Sequence, residues 1–350
     1  ADELDIPAEI VEDQVFSVIR DSIPDSEWYA MAGPEIPLSF GLLLEGLGEV
    51  GITQSPKALF EPFTDLPSKV NLLKRFPDYF SSIRNQRQRG ACVAFAATAL
   101  HEYLVGRFSG EPSPPLSEEF LYWAARKQQY EHSPETCHQC GTYIENALEA
   151  LTIMGQCKSE TAPYRTSLPC NLKFADGDVQ DTAFQCLNCD YGNEPAYLAT
   201  GQLSTDVESE ARSFQMKKWQ PKSLSTVQEV KNFLHNEYPV ILGVRCYLSL
   251  QSPTVRDNGT MSLPFQREID DYRYHLGAHA VLAVGYEDGS SDNSYYTPGG
   301  GYFIVRNSWG KNWGARATDE CPPGYGMLPY AYLAHRLATG YTLVRNQTQK

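Results

Sequence analysis

The spacing of apolar residues changes along this chain of 350 residues, and that change limits the folds open to it. Between residues 91 and 151, apolar side chains recur at the three- and four-residue intervals of amphipathic helices. Beyond residue 223, one amphipathic helix is followed by β-prone runs at residues 240–244, 280–286 and 302–305. Helices followed by strands predict an α+β chain with two packed halves.

Length and the apolar runs bound the class of protein. A chain of this length buries a sizeable core, as one large domain or two. Its clearest apolar runs, residues 239–244 and 278–286, are much shorter than the roughly 20 residues of a membrane-spanning helix. No membrane span is therefore predicted. The chain begins at Ala1 and shows no signal-peptide pattern, as expected of a processed form.

Charge divides the chain near residue 65. Residues 1–65 hold 14 acidic side chains and only two basic ones, whereas the remaining 285 residues hold 29 acidic and 27 basic side chains. An acidic arm on a nearly neutral body argues against nucleic-acid binding. Prolines and apolar residues such as Trp28, Phe40 and Phe60 favour a docked segment over a solvated tail. We therefore predict an acidic N-terminal extension over residues 1–65 and a main domain over residues 66–350.

Three polar residues stand in settings that suit nucleophilic catalysis. Cys92 begins an alanine-rich helical run, His279 heads an apolar strand, and Asn307 ends another strand. A helix N-terminus favours the thiolate, which is the nucleophilic form of cysteine, and a nearby imidazolium favours it further. Asn307 can orient the imidazole, and Trp309 can shield that hydrogen bond from water. Gln86, together with the backbone N–H of Cys92, can donate to the oxyanion of a tetrahedral intermediate.

The segments around these residues resemble the papain family of cysteine peptidases. The resemblance covers about residues 66–340, and residues 324–330 are similar to the closing strand of bacterial members. The segments that carry it are residues 85–86, 90–96, 277–281, 284–286 and 306–314. It implies a papain-like fold, with a helical half and a β-barrel-like half that enclose the active site.

The resemblance also implies roles for the site residues and a reaction. Cys92 would be the nucleophile, His279 the base and acid, Asn307 the orienting residue and Gln86 the oxyanion donor. The enzyme would hydrolyse peptide bonds in proteins or peptides through a thioester acyl-enzyme, as a monomer and without a cofactor. Two alternatives are a catalytically inactive papain-fold binding protein and a papain-like acyltransferase.

The sequence departs from the family pattern at three points. Arg89 and Val93 stand where the family usually has a cysteine and an aromatic residue, so the usual disulfide from that cysteine cannot form. Arg84 and Arg87 make the same loop unusually basic. His279 lies 187 residues after Cys92, against roughly 130–150 in the family, which implies an insertion of about 40–55 residues. We place the insertion within residues 161–222, where four prolines interrupt the chain, no apolar period is sustained and no regular structure is predicted.

The cysteine count favours disulfides and an oxidising, extracytoplasmic compartment, so that the protein is expected to be secreted. Eight cysteines remain when Cys92 is set aside: Cys137, Cys140, Cys157, Cys170, Cys186, Cys189, Cys246 and Cys321. An alternative for four of them is a zinc site, since two pairs have the spacing of zinc ligands: Cys137 with Cys140, and Cys186 with Cys189. A third alternative is that they are free thiols.

The acidic extension predicts a zymogen. By resemblance, residues 1–65 would be a prosegment that occupies the cleft, with Arg84, Arg87 and Arg89 as candidate partners for its carboxylates. Such pairing would lower the carboxylate pKa values in the docked state, so that docking is favoured at neutral pH and lost as the pH falls. Activation in acid is therefore predicted.

Overall fold

The computed structural model describes seven stretches of the chain. They are residues 66–87, 89–132, 141–164, 205–270, 274–289, 300–314 and 320–346. The predicted acidic extension, residues 1–65, lies outside them, as does most of the predicted insertion. The boundary near residue 65 therefore stays a prediction.

Helices dominate the first part of the described chain. The helices are, in chain order, α1 (Leu72–Arg75), α2 (Cys92–Ser109), α3 (Glu118–His132), α4 (Ile144–Ile153), α5 (Thr205–Ser213), α6 (Val227–His235), α7 (Pro253–Asn258), α8 (Gln266–Asp270) and α9 (Ala331–Ala334). Two short 3₁₀ turns lie at Pro77–Tyr79 and Leu248–Gln251. Helices α2, α3 and α4 pack against one another and form the helical half. None of the helices that the structure describes is long and apolar enough to cross a membrane.

Helix α2 lies between the two halves. Fourteen of its 18 residues are buried, as expected of a helix that is apolar on most of its faces. It contacts α3 and α4 in the helical half and the sheet in the other half. The helix ends at Gly110, whose left-handed backbone (φ 82°) lets its N–H bond to the carbonyl of Gly106. Its first residue is Cys92, so the fold places this thiol at a helix N-terminus in the interior.

The second half is a seven-stranded antiparallel sheet with the order β2-β7-β3-β4-β5-β6, in which β1 also pairs with β4. The strands are β1 (Lys69–Asn71), β2 (Trp219–Leu224), β3 (Val240–Tyr247), β4 (His275–Asp288), β5 (Gly301–Arg306), β6 (Tyr325–Pro329) and β7 (Ala338–Arg345). Strand β4 is the longest, and residues 278–286 of it are buried on both faces. Helix α2 packs against this strand, so the core is continuous between the halves.

The predicted α+β organisation with a helical half and a strand-rich half is confirmed, but the prediction that residues 161–222 hold no regular structure is wrong for α5 and for residues 219–222 of β2. Helix α5 buries Val207 and Ala211, which are four residues apart on one face. Pro221 lies within β2, which is at the edge of the sheet and, among the strands that the structure describes, pairs with β7 alone. An edge strand tolerates proline because one row of its backbone groups needs no partner strand.

Candidate active site

Cys92 lies at the junction between a loop and helix α2. Residues 89–91 lead directly into the helix, and the residue that caps it, Ala91, has no side-chain oxygen for the first-turn N–H groups. The Cys92 side chain is fully buried. The positive end of the helix dipole favours the anion of this thiol, whereas removal from bulk water opposes it.

His279 and Asn307 meet across neighbouring strands of the sheet. His279 lies in β4, and Asn307 follows the last residue of β5. The Nε2 of His279 and the Oδ1 of Asn307 are 2.8 Å apart. Because an amide oxygen only accepts hydrogen bonds, Nε2 carries the proton in this pairing, and the neutral ring presents Nδ1 as its base.

Trp309 covers this pair. Its ring stacks on the imidazole of His279, with centroids 4.5 Å apart and an interplanar angle of 28°. The His279 side chain is only 2% exposed. The structure thus brings His279, Asn307 and Trp309 together as the sequence predicted, with the indole shielding the hydrogen bond.

Burial sets the protonation state of His279. It lowers the pKa of the imidazole to about 4, while the hydrogen bond to Asn307 acts in the opposite direction. Loss of hydration disfavours the charged ring, so His279 is neutral at neutral pH in this structure. The imidazolium expected from the sequence is therefore replaced by a neutral base.

Residues 85–86 pair with residues 308–309, and this contact holds Gln86 close to Asn307 at the end of β5. Its backbone N–H donates to the carbonyl of Ser308 at 2.8 Å, and its Oε1 accepts from the Ser308 hydroxyl at 2.5 Å. Asn85 and Trp309 form the adjoining β-bridge. The Gln86 Nε2 donates to the carbonyl of Arg89 at 2.8 Å. Since an amide nitrogen has two N–H groups, the second can serve an oxyanion.

Cys246, a residue that the sequence did not single out for this site, lies close to both Cys92 and His279. It is two residues beyond Val244, which pairs with His279 across β3 and β4, so both side chains point to one face of the sheet. Burial and the neighbouring Cys92 sulfur raise the pKa of the Cys246 thiol, and a hydrogen bond from the backbone N–H of His279 opposes that shift. The strand register brings Cys246 near His279, and the packing of α2 on the sheet brings it near Cys92.

Two of the three loop arginines are paired with carboxylates within the main domain, whereas their predicted contact with residues 1–65 involves residues outside the described stretches and stays a prediction. Arg84 bonds Glu102 at 2.6 Å and Glu118 at 2.5 Å. Arg89 is fully buried against Glu119. Their charges are neutralised by carboxylates of α2 and α3. The third, Arg87, is exposed.

The described cysteines correct part of the disulfide prediction. Cys157 and Cys246 are buried free thiols, and the Cys321 thiol donates to the carbonyl of Gly326 at 3.7 Å. Burial raises the pKa of Cys157 and of Cys321 to about 12. These residues lie in packed core positions, where cysteine acts as a small hydrophobic side chain. The even number of cysteines other than Cys92 therefore does not mean that all of them are paired.

The other five cysteines lie outside the described residues: Cys137, Cys140, Cys170, Cys186 and Cys189. The choice between disulfides and zinc for them stays open, and the prediction of a secreted protein rests on them alone. Within the described stretches, no group of three or more His, Cys, Asp or Glu side chains is placed to hold a metal ion.

Comparison with known proteins places this site in a family context. Residues 66–319 match the family model described as "Papain family cysteine protease". The chain is 26% identical to human cathepsin L2 over 269 residues, which cover 74% of the chain and 62% of cathepsin L2. It is 28% identical to an uncharacterized peptidase C1-like protein of Acanthamoeba polyphaga mimivirus over 123 residues, or 35% of the chain and 32% of that protein. The match thus spans less than two thirds of each of these curated relatives.

The fold is similar to that of a solved bacterial enzyme. Xylellain, a cysteine protease from Xylella fastidiosa, superposes with a TM-score of 0.59 at 19% identity, over 88% of this chain and 97% of that chain. At this identity the likeness concerns the fold alone.

Proposed function

The chain belongs to the papain family of cysteine proteases, a family of hydrolases, and from this premise we propose that it hydrolyses peptide bonds with Cys92, His279 and Asn307. The observation that carries the proposal is the 2.8 Å contact between His279 Nε2 and Asn307 Oδ1 beneath Trp309. It leaves Nδ1 as the basic atom of a neutral imidazole. A base fixed in one tautomer is the element that turns a buried thiol into a nucleophile.

The first half of the proposed reaction forms a thioester. His279 Nδ1 takes the proton of the Cys92 thiol, and the sulfur attacks the carbonyl carbon of the scissile peptide bond. The oxyanion of the tetrahedral intermediate accepts from the free N–H of the Gln86 amide and from the backbone N–H of Cys92. Collapse of the intermediate breaks the C–N bond, and His279 gives its proton to the leaving amine.

The second half releases the acid. His279, neutral again, takes a proton from water as that water attacks the thioester carbonyl. The same two donors bind the second oxyanion, and the thiolate leaves and recovers its proton from His279. Each group thus returns to its starting state.

We also propose that residues 1–65 inhibit the enzyme by covering the cleft. The support is compositional: 14 acidic against two basic side chains, with apolar residues spaced between prolines. Because Arg84 and Arg89 are paired with carboxylates of the main domain, Arg87 is the arginine of the active-site loop left exposed for this contact.

One set of proteins tests both proposals. Hydrolysis of an unfolded protein substrate is measured for the full chain and for a chain that begins at Leu66, each with Cys92 or with Cys92→Ala. We expect the shorter chain to be active at neutral pH, the full chain to become active only in acid, and both Cys92→Ala proteins to be inactive. Equal activity of the two lengths at every pH would reject the inhibitory extension. Activity that survives Cys92→Ala would reject the peptidase mechanism.

A further inference from the structure

A charged residue is buried three positions before the nucleophile. Arg89 and Glu119 both have fully buried side chains. The Arg89 Nη1 lies 2.5 Å from one oxygen of the Glu119 carboxylate, and Nη2 lies 3.4 Å from the other oxygen. This is a two-pronged ion pair between the loop before α2 and the first turn of α3.

Two tyrosines enclose the same guanidinium. Its central carbon lies 5.3 Å from the ring centre of Tyr122 and 4.9 Å from that of Tyr164. Arginine stacks well on aromatic rings and is weakly hydrated, so it is the cation best suited to such a place. A lysine at this position would lose the two-pronged contact with Glu119 and the stacking of a planar group on the tyrosine rings.

The Arg89 pair is connected to the proposed oxyanion donor. The carbonyl of Arg89 accepts from the Gln86 side-chain amide at 2.8 Å and from the backbone N–H of Ala91 at 2.8 Å. The Tyr164 hydroxyl donates to the carbonyl of Gln86, also at 2.8 Å. The Tyr164 ring packs edge-on against Phe95 of α2 at 4.8 Å. Arg89 and Tyr164 therefore join Gln86, the loop and the helix of the nucleophile into one unit.

Stability alone does not account for this arrangement. A buried ion pair gives up the hydration of two charges, and apolar residues of similar volume often stabilise a fold as well or better. No disulfide joins this loop to α3 among the described residues. The Arg89–Glu119 pair, together with the Arg84–Glu118 pair, thus cross-links the loop to the start of α3.

We propose that Arg89, through its buried ion pair with Glu119, is a positioning residue that holds the Gln86 amide where the oxyanion forms. The inference rests on the proposed peptidase function and adds to it a specific device for the oxyanion site. Arg89 itself touches neither the substrate nor the reacting atoms.

The test separates oxyanion binding from thiol reactivity. Arg89→Met with Glu119→Leu removes both charges of the ion pair at once, so that neither is left buried without the other. Peptide hydrolysis by this double variant, measured on the full chain in acid, is expected to fall about tenfold to 100-fold, mainly in kcat, because an oxyanion donor is worth about 10²–10³-fold. Alkylation of Cys92 by iodoacetamide needs no oxyanion site and should stay within about twofold of the parent rate.

A Gln86→Ala background shows whether the effect passes through Gln86. Once the amide is absent, the same double change should cost less than about threefold, because residues that act as one unit are not additive. Lys231→Met with Asp288→Leu is the control, since it removes another ion pair, 2.7 Å apart, on the sheet side, whose lysine is mostly buried and whose aspartate is partly exposed. It should leave kcat unchanged.

Several results would overturn the inference. They are unchanged hydrolysis, a full additive loss in the Gln86→Ala background, or alkylation that slows in parallel with hydrolysis. If the double variant does not fold, the same measurements are made on Arg89→Lys, because this change keeps the positive charge and removes the two-pronged contact with Glu119. A parent protein without Cys92-dependent hydrolysis would reject the proposed function as well, whereas these results on an active parent reject only the role of Arg89.

Discussion

The two sides of the candidate site are held in place by different forces. On the sheet side, His279 and Asn307 are positioned by the backbone ladder between β4 and β5, whose side chains are mostly apolar. On the loop side, Gln86 and Cys92 follow a segment without regular structure, which is fixed by buried charges. A ladder places a residue through its backbone, so many side chains satisfy it. A loop depends on particular side chains, and a single substitution can displace it.

The catalytic contributions of the two sides give the largest expected effects. His279→Ala should lower kcat/KM by about 10⁴-fold, since general acid–base catalysis contributes up to that amount. Gln86→Ala should lower it by about 10²–10³-fold. The comparison is made on hydrolysis rates of variants with parental unfolding temperatures. A smaller loss for His279→Ala than for Gln86→Ala would reverse the roles assigned here.

Breaking the loop-side pair by one change should cost more stability than a comparable change in the sheet. Arg89→Met leaves Glu119 buried without its ion-pair partner, so we expect a loss of about 3–5 kcal/mol in the free energy of unfolding. The matched sheet-side change, Ile304→Val, should cost about 0.5–1.5 kcal/mol. Urea titrations followed by tryptophan fluorescence measure both. Equal losses would mean that the loop does not depend on its charges as described.

The sheet side carries a pH dependence because His279 is buried as the neutral ring. Its pKa is lowered from 6.5 to about 4, so the unfolded chain binds the proton first as the pH falls. The stability that this site contributes is fully present above about pH 6.5 and is lost progressively toward about pH 4, by about 3 kcal/mol at most. His279→Gln should remove this part of the pH dependence. Identical unfolding curves against pH for parent and variant would show that the ring is not held neutral.

The smallest expected effect on stability is at a surface ion network around Glu320. Glu320 bonds Lys74 at 2.6 Å and Lys69 at 3.0 Å, and the hydrogen bond from Lys74 leads the contacts that lower the pKa of Glu320 to about 2. Its contribution is present above about pH 4.5 and is lost as the pH falls toward about 2. Since the lysines are exposed, Glu320→Gln should cost less than about 1 kcal/mol at neutral pH. A thermal unfolding scan checks this, and a cost as large as that of Arg89→Met would show that surface pairs matter as much as buried ones.

The sequence predicted the sheet side better than the loop side, for a physical reason. His279 and Asn307 stand at the ends of apolar runs that the sequence predicts as strands, and the segments around them carry the family resemblance. The pairing of Arg89 with Glu119 joins residues 30 positions apart through a loop, and no period encodes such a contact. From the sequence alone, arginines in a basic loop are equally good partners for an acidic segment elsewhere in the chain. Glu118 and Glu119, which carry their counter-charges, have the ordinary acidic pattern of a helix start.

Cys246 is a second residue whose place in the site could not be predicted from the sequence. Its burial follows from its place in an apolar strand, but its closeness to His279 depends on the register of β3 against β4, and its closeness to Cys92 depends on how α2 packs on the sheet. The number of cysteines in a sequence does not indicate how strands and helices pack against each other. Pro221 likewise predicts an interruption of regular structure, because the sequence does not show that β2 is an edge strand. The edge position is a property of the whole sheet.

The most direct test of the central claim is the intact mass of the protein after treatment with a thiol-directed epoxide. The chain that begins at Leu66 should take up one more adduct than its Cys92→Ala variant. Cys157, Cys246 and Cys321 should stay unmodified because burial raises the pKa of each thiol. His279→Ala should slow the labelling of Cys92. Equal adduct numbers in the parent and in Cys92→Ala would contradict the assignment of Cys92 as the nucleophile.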